Sequence, residues 1–279
     1  MLTHPERVLY PDDGVTKAEL AAWFDAVADS LLPHLIDRPL SVLRVTGQRP
    51  PFFQRHLAGR RAPFVTCNSR EDLQQLAQLG VVELHTWGTR RSWTTVADRL
   101  TFDLDPGAGL PWSRVRDAAL AVRRHLASLG LESFAKATGG KGLHVVVPLT
   151  PPRPRWPRAL EFARAVSRHF ASAAPGEFTA RTGEAARRGR VFIDYLRNTR
   201  GASSVAAFSP RWRPGVPVAV PLSWEELESQ DGRPLYALRE LDAATARRLQ
   251  RAWQGYDGVR QSLRTSSTGR VSGRTPRHR

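Results

Sequence analysis

The chain has 279 residues, 41% of them hydrophobic, which is enough to bury a full core in one large domain or two small ones. Its 42 Lys and Arg against 26 Asp and Glu give a net charge of +16, a field that favours polyanionic partners, nucleic acid first among them. No apolar run approaches the length of a membrane span, Met1 leads into Pro5, Asp12 and Asp13 rather than a signal-like segment, and Cys67 stands alone, which excludes an internal disulfide and a cysteine-built zinc site. The expectation is a cytoplasmic protein of a reducing compartment with no membrane partner.

Nearly all the positive charge is arginine, and Lys17, Lys136 and Lys141 are the only lysines. An ammonium is a compact donor that an arginine fork does not imitate at a tight site, so these three are informative. Along the chain, Thr16 and Glu19 form a T-x-x-E capping box opening a helix with apolar residues at 20, 24, 27 and 31, which Pro33 is expected to stop. An extended run over 40–45 precedes a predicted loop carrying Phe52, Phe53, Gln54, Arg55 and His56. A short helix from Arg70 ends at Gly80, and strands are predicted over 81–85 and 100–104. Next come a helix over 113–128, strands over 133–137 and 143–147 around a glycine-rich turn, a helix over 158–173, and an apolar strand over 191–196. Short extended pieces surround Pro214 and Pro217, and 222–227 and 242–253 read as helical. This mixture points to an α+β or mixed α/β fold rather than regular βαβ alternation. Residues 264–279 are Ser, Thr, Gly and Arg with little that is apolar, and read as a disordered basic tail.

Four segments carry chemistry. In Thr101-Phe102-Asp103-Leu104-Asp105-Pro106-Gly107, residues i and i+2 of a strand project side by side, and two adjacent carboxylates invite a hard divalent cation. A plain acidic strand end reads the same way. Asp194 interrupts the apolar run 191–196 and needs a partner, either a metal or a hydrogen-bond donor. The turn Thr138-Gly139-Gly140-Lys141-Gly142-Leu143-His144 offers backbone N–H groups, a hydroxyl and an ammonium to a polyphosphate, although its spacing is not that of a Walker A loop and a glycine hairpin looks similar. Phe52 and Phe53 beside Arg55 suit an unpaired base, or else a core.

In one order, VTKAEL, FFQRH, VVELHTWG, FDLDPG, KATGGKGLHVVVPL and VFIDYLRNTRGA resemble the polymerase domain of bacterial DNA ligase D, in the archaeo-eukaryotic primase superfamily. The resemblance covers residues 2 to about 256 and implies an α+β primase-polymerase core: an RRM-like catalytic sheet plus a second strand-rich subdomain with flanking helices. The expected organisation is a catalytic domain over 1–256 and a basic tail over 257–279. Further implied are template-dependent addition of NTP or dNTP to primers at gaps in end joining, with Mn²⁺ or Mg²⁺, two ions, as cofactor. Asp103, Asp105 and Asp194 match the metal-binding and catalytic triad, and His85, Thr138, Lys141, His144, Arg197, Arg211 and Arg213 match positions that contact the incoming nucleotide. Lys17 matches the region that recognises a downstream 5′-phosphate. Phe52 and Phe53 match aromatics that pack on the template, with Arg55 beside them, and Arg187 matches a basic loop near the primer end. Thr138 stands where serine is usual, and the segment 44–52 lacks the family's C-P-D-G turn. Expected partners are gapped or broken DNA bearing a 5′-phosphate, Ku, and a separate DNA ligase, since these residues hold no ligase or nuclease segment, and the expected location is the bacterial cytoplasm at the nucleoid. The rival readings are a primase that starts strands de novo and a non-catalytic DNA-end-binding module.

Overall fold

In the computed structural model of the chain, residues 2–47, 50–56 and 64–263 are described. A short hairpin, β1 (Val8–Tyr10) with β2 (Val15–Thr16), leads into α1 (Lys17–Ala26) and α2 (Ala28–Leu35). The capping box forms as expected, with the Thr16 hydroxyl accepting from the Glu19 N–H and the Glu19 carboxylate accepting from the Thr16 N–H. Pro33 does not stop this segment. The break falls at Val27, at φ −100° and ψ 5°, and Pro33 rides inside α2, where its missing N–H forfeits one intrahelical bond near the helix end.

The chain continues through β3 (Leu40–Arg44), β4 (Phe52–Gln54), α3 (Arg70–Gln78), β5 (Val81–Trp87) and β6 (Arg99–Pro106). Then come α4 (Trp112–Ser128), β7 (Phe134–Ala137), β8 (Leu143–Pro148), α5 (Trp156–Ala173), β9 (Phe178–Thr179), α6 (Glu184–Arg187) and β10 (Val191–Asp194). Last are β11 (Ser203–Val205), β12 (Val220–Leu222), α7 (Trp224–Ser229) and α8 (Ala243–Gln250). The fold is α+β with mixed sheets. One sheet has six strands in the order β12-β7-β8-β6-β10-β9, antiparallel except for β10 with β9, and another has four in the order β11-β5-β3-β4.

The block β6-α4-β7-β8-α5-β10 places β6 and β10 side by side, β6 at the sheet centre and β10 between it and the edge strand β9. Leu100, Phe102 and Leu104 are fully buried, and α4 and α5 pack behind β6 with buried stripes at Val115, Ala118, Val122 and Ala159, Ala163, Val166. The apolar half of β6 is thereby anchored, and the alternate residues are free to carry function.

Phe52 and Phe53 are not in a loop. They form β4, the edge strand of the four-stranded sheet, paired with Arg44 and Leu43 of β3. Prolines 50 and 51 disguise the strand, yet residues without an N–H are tolerated at a sheet edge. The ordered body also continues past residue 256: the Gln261 amide donates to the carbonyls of Glu132 and Pro148 and its side-chain oxygen accepts from the Glu132 N–H. Residues 48–49 and the stretch 264–279 read as a basic tail lie outside the described residues.

Candidate active site

β6 and β10 run antiparallel with Asp103 opposite Asp194 and Asp105 opposite Phe192. The i, i+2 pair of β6 and the single acid of β10 therefore converge, and ligand oxygens of Asp103, Asp105 and Asp194 all lie within 4.8 Å of one another. Asp103 and Asp194 are each 7% exposed. Basic groups reach in from several elements. Arg197 Nε lies 3.1 Å from Asp103 Oδ2 and 3.2 Å from Asp194 Oδ2, His144 Nε2 is 3.4 Å from Asp103 Oδ1, and Arg187 Nη1 is 3.4 Å from Asp105 Oδ2. The Arg187 guanidinium also rests 4.6 Å over the Phe192 ring.

The acids titrate apart. Burial works against Asp103, but His144 and Arg197 outweigh it and hold its carboxyl well below the usual range. Burial and the neighbouring Asp103 push Asp105 up to about 7, and burial raises Asp194. Burial lowers His144 to about 4, so its ring is neutral at physiological pH, and its buried Nδ1 has no partner among the described residues. An all-oxygen cluster with one ionised acid and two acids raised chiefly by burial is a donor set for hard divalent cations, whose binding would favour the charged forms. The residues present fit such an ion.

A cleft of about 280 Å³ opens above these acids, lined by His85, Lys141, Arg197, Arg211, Arg213 and the 138–142 turn among others. Gly142 allows the turn to approach: a Cβ there would meet the Leu104 carbonyl oxygen at 2.8 Å and Asp105 Oδ1 at 3.4 Å. Thr138 lines the cleft, but its hydroxyl shapes the turn, donating to the Gly142 carbonyl and accepting from the Gly140 N–H. Lys141 is exposed at the rim, and Arg213 Nη1 lies 3.3 Å from where a Cβ on Gly140 would stand.

Glu83 organises the far wall. Only 4% exposed on β5, it accepts from the Trp212 N–H at 2.8 Å and Arg211 Nε at 3.1 Å, and its Oε2 lies 2.7 Å from His85 Nε2. Arg211 in turn donates to the Thr138 carbonyl at 2.6 Å, so one acid fixes two basic groups and joins the two sheets. Lys136, 4% exposed on β7, makes a second tie by donating to the Val205 carbonyl of β11. Lys136 stood out in the sequence as one of three lysines but without a role, and no role was read for Glu83 or for Ser203 and Ser204, which also line the cleft. Glu83 carried the same signal as Asp194, an acid inside an apolar strand.

Phe52, Phe53, Arg55 and Lys17 are not among the residues that line the cleft. Phe52 and Phe53 are 40% and 59% exposed on β4, with Phe53 edge-on to the His85 ring at 5.1 Å. Arg55 is exposed just beyond them. Lys17 is only 3% exposed, and its ammonium donates to the Thr3 carbonyl at 2.7 Å rather than standing open at the helix start. Among the described residues no helix is long and apolar enough to cross a membrane.

Comparison with known proteins agrees with this arrangement. The family described as LigD, primase-polymerase domain, matches residues 16–253. The multifunctional non-homologous end joining protein LigD of Pseudomonas aeruginosa is 38% identical over 94% of this chain, and that of Mycolicibacterium smegmatis 32% identical over 84%. The match takes in 33% of each, so the chain spans about a third of the length of these relatives. The solved polymerase domain of Mycobacterium tuberculosis ligase D, in complex with DNA, superposes with a TM-score of 0.80 at 29% identity, over 90% of this chain and 97% of that one. The chain belongs to the LigD primase-polymerase domain family.

Proposed function

We propose that this chain is a template-dependent nucleotidyltransferase that extends a primer strand with NTP or dNTP at gaps and broken DNA ends, in repair by end joining. The observation that carries the reading is the convergence of Asp103, Asp105 and Asp194 within 4.8 Å at the floor of a cleft walled by basic side chains. Asp103, Asp105 and Asp194 would hold the divalent ions, two of Mn²⁺ or Mg²⁺, whose chemistry is to lower the pKa of the primer 3′-hydroxyl and neutralise the leaving pyrophosphate. Arg197, Arg211, Arg213 and Lys141 bind the triphosphate oxygens, with the N–H groups of the glycine turn. Glu83 orients His85 and Arg211 so that the triphosphate meets a preformed wall. Arg187 steadies the primer end beside Asp105. Phe52 and Phe53 offer the template a stacking platform, with Arg55 on its backbone.

On this reading Lys17 serves the downstream 5′-phosphate, exchanging the Thr3 carbonyl for a phosphate oxygen. The catalytic unit is residues 1–256 together with the packed residues 257–263, the basic stretch beyond them adds non-specific DNA contacts, and Ku and a separate DNA ligase act alongside in the bacterial cytoplasm. The test is primer extension on gapped duplexes with a 5′-phosphate or 5′-hydroxyl, with NTP or dNTP, and with Mn²⁺ or Mg²⁺. Metal-dependent, template-directed addition supports the proposal; its absence with every metal and nucleotide overturns it.

A further inference from the structure

A second cleft, of about 330 Å³, lies at the opposite end of β6 from the carboxylates, lined by Arg38, Arg90, Trp93, Asp98, Arg153 and Tyr256 among others. Arg99 and Asp105 are six residues apart on one extended strand, which separates the two sites by about 20 Å at ~3.3 Å per residue. Cations exceed anions there. Arg38, Arg90, Arg91, Arg99 and Arg153 gather about Asp37, Asp98 and Asp257, five against three. Asp98 is consumed by a two-point pair with Arg38, at 2.9 Å for both contacts, and by Arg90 at 3.4 Å, while Arg91 lies 3.7 Å from Asp37.

Arg153 is the unspent charge. Its guanidinium stacks 4.2 Å over the ring of Trp93, a residue 43% exposed, and among the described residues it forms no ion pair or hydrogen bond. Among the described residues its buried Nε has no acceptor, and neither has the Nε of Arg38, a residue 3% exposed. Burial and the charge of Arg38 hold Arg90 and Arg99 below the usual guanidinium range, Arg99 at about 10. Buried donors without acceptors and a local surplus of positive charge are each costly, and one bound oxyanion relieves both. A stacked, pre-oriented guanidinium is also the donor best suited to phosphate.

We propose that this cleft is a second, non-catalytic phosphate-binding site, with Arg153 on its Trp93 platform as the principal donor. The phosphate has two sources, the backbone of DNA engaged at the carboxylates or a free inorganic anion. The DNA source rests on the proposed polymerase function and places the phosphate about six base pairs from the growing end, at ~3.4 Å per step.

The test compares wild type with Arg153→Gln, and with Trp93→Ala as a second variant that removes the platform, after thermal melts establish that each is folded. The probes are primed DNA with a duplex of about four or about twelve base pairs, inorganic phosphate, and pyrophosphate. For the DNA source, both variants bind the longer duplex about tenfold more weakly, the longer-duplex salt slope falls by about one, and the short duplex and extension at saturating DNA are unchanged. For the free-anion source, titrating phosphate or pyrophosphate releases heat at a site present in wild type and lost in both variants, at equal affinity for the two duplexes. Variants that fold and match wild type toward all four probes overturn the site. Wild type that binds no DNA strikes the polymerase proposal instead, and the anion titrations then decide the site alone.

Discussion

Asp194 stands directly across the β6–β10 pairing from Asp103, two acids facing each other in the middle of a sheet. Like charges so placed weaken a strand pair, and Arg197, with one nitrogen 3.1 Å and 3.2 Å from the two carboxylates, offsets the repulsion in the metal-free protein. The site thus holds a counter-ion of its own, placed between the two carboxylates.

Removing an acid should therefore separate activity from stability. Asp105→Asn is expected to abolish nucleotide addition while leaving DNA affinity unchanged, and to raise the stability of the metal-free protein by on the order of 1–3 kcal/mol, because a carboxyl held up at about 7 is ionised at a cost at neutral pH. Extension assays, DNA titration and denaturant melts read the three quantities. Retained extension activity would remove Asp105 from the metal site.

Acid sensitivity should trace in part to His34. Its ring is buried, lies 2.9 Å from Gln250 Oε1, and is lowered from 6.5 to about 3 by burial. Above about pH 6.5 the group is neutral in both states and contributes no pH dependence. Below that, the unfolded chain takes up a proton that the fold refuses, so stability falls as pH drops from 6.5 toward 3, by at most about 5 kcal/mol at ~1.36 kcal/mol per unit. His34→Gln should flatten the stability profile across this window. An unchanged slope would mean that His34 is protonated within the fold.

Gly142→Ala should damage the cleft more than the fold. The new methyl would stand 2.8 Å from the Leu104 carbonyl oxygen and press on the Asp105 carboxylate, so the turn must retreat by several tenths of an ångström. Overpacking of this kind costs about 1–3 kcal/mol. The expected result is a modestly lower melting temperature with a kcat at least tenfold below wild type, measured by steady-state extension; wild-type kcat would show that the turn's position is irrelevant to chemistry.

Replacing Phe52 and Phe53 together by alanine should change stability by less than about 1 kcal/mol, since both rings are exposed on an edge strand. Template affinity should fall by roughly 1–3 kcal/mol per stacked base while nucleotide KM changes little. Collapse of the fold would assign these rings to the core instead.

What was legible in the sequence was local. The Thr16–Glu19 box, the i, i+2 spacing of Asp103 and Asp105, and the lone acid of 191–196 each state their structure within a few residues, and each appears where expected. The facing of Asp194 and Asp103 could not be read without the register between strands some ninety residues apart. Glu83 illustrates the same limit: its position in an apolar strand announced a partner, but Arg211 and the Trp212 N–H come from a distant loop. β9 and β11 are too short for alternation to show, and β4 is hidden behind prolines. Lys136 stood out as one of three lysines, yet nothing local revealed that its ammonium crosses to Val205.

The edge-on contact of Phe53 with His85 begins a relay that continues through Glu83 to Arg211 and the Thr138 carbonyl. A base settling on Phe53 would load the first member of that relay, and a triphosphate gripped by Arg211 would load the last. Because such coupling is reciprocal, whatever factor a template base lends to nucleotide affinity the nucleotide must return to the template. On the proposed roles, the template platform and the triphosphate grip stand at the two ends of one contact chain, so any effect of either on the other is equal in both directions, whatever its sign.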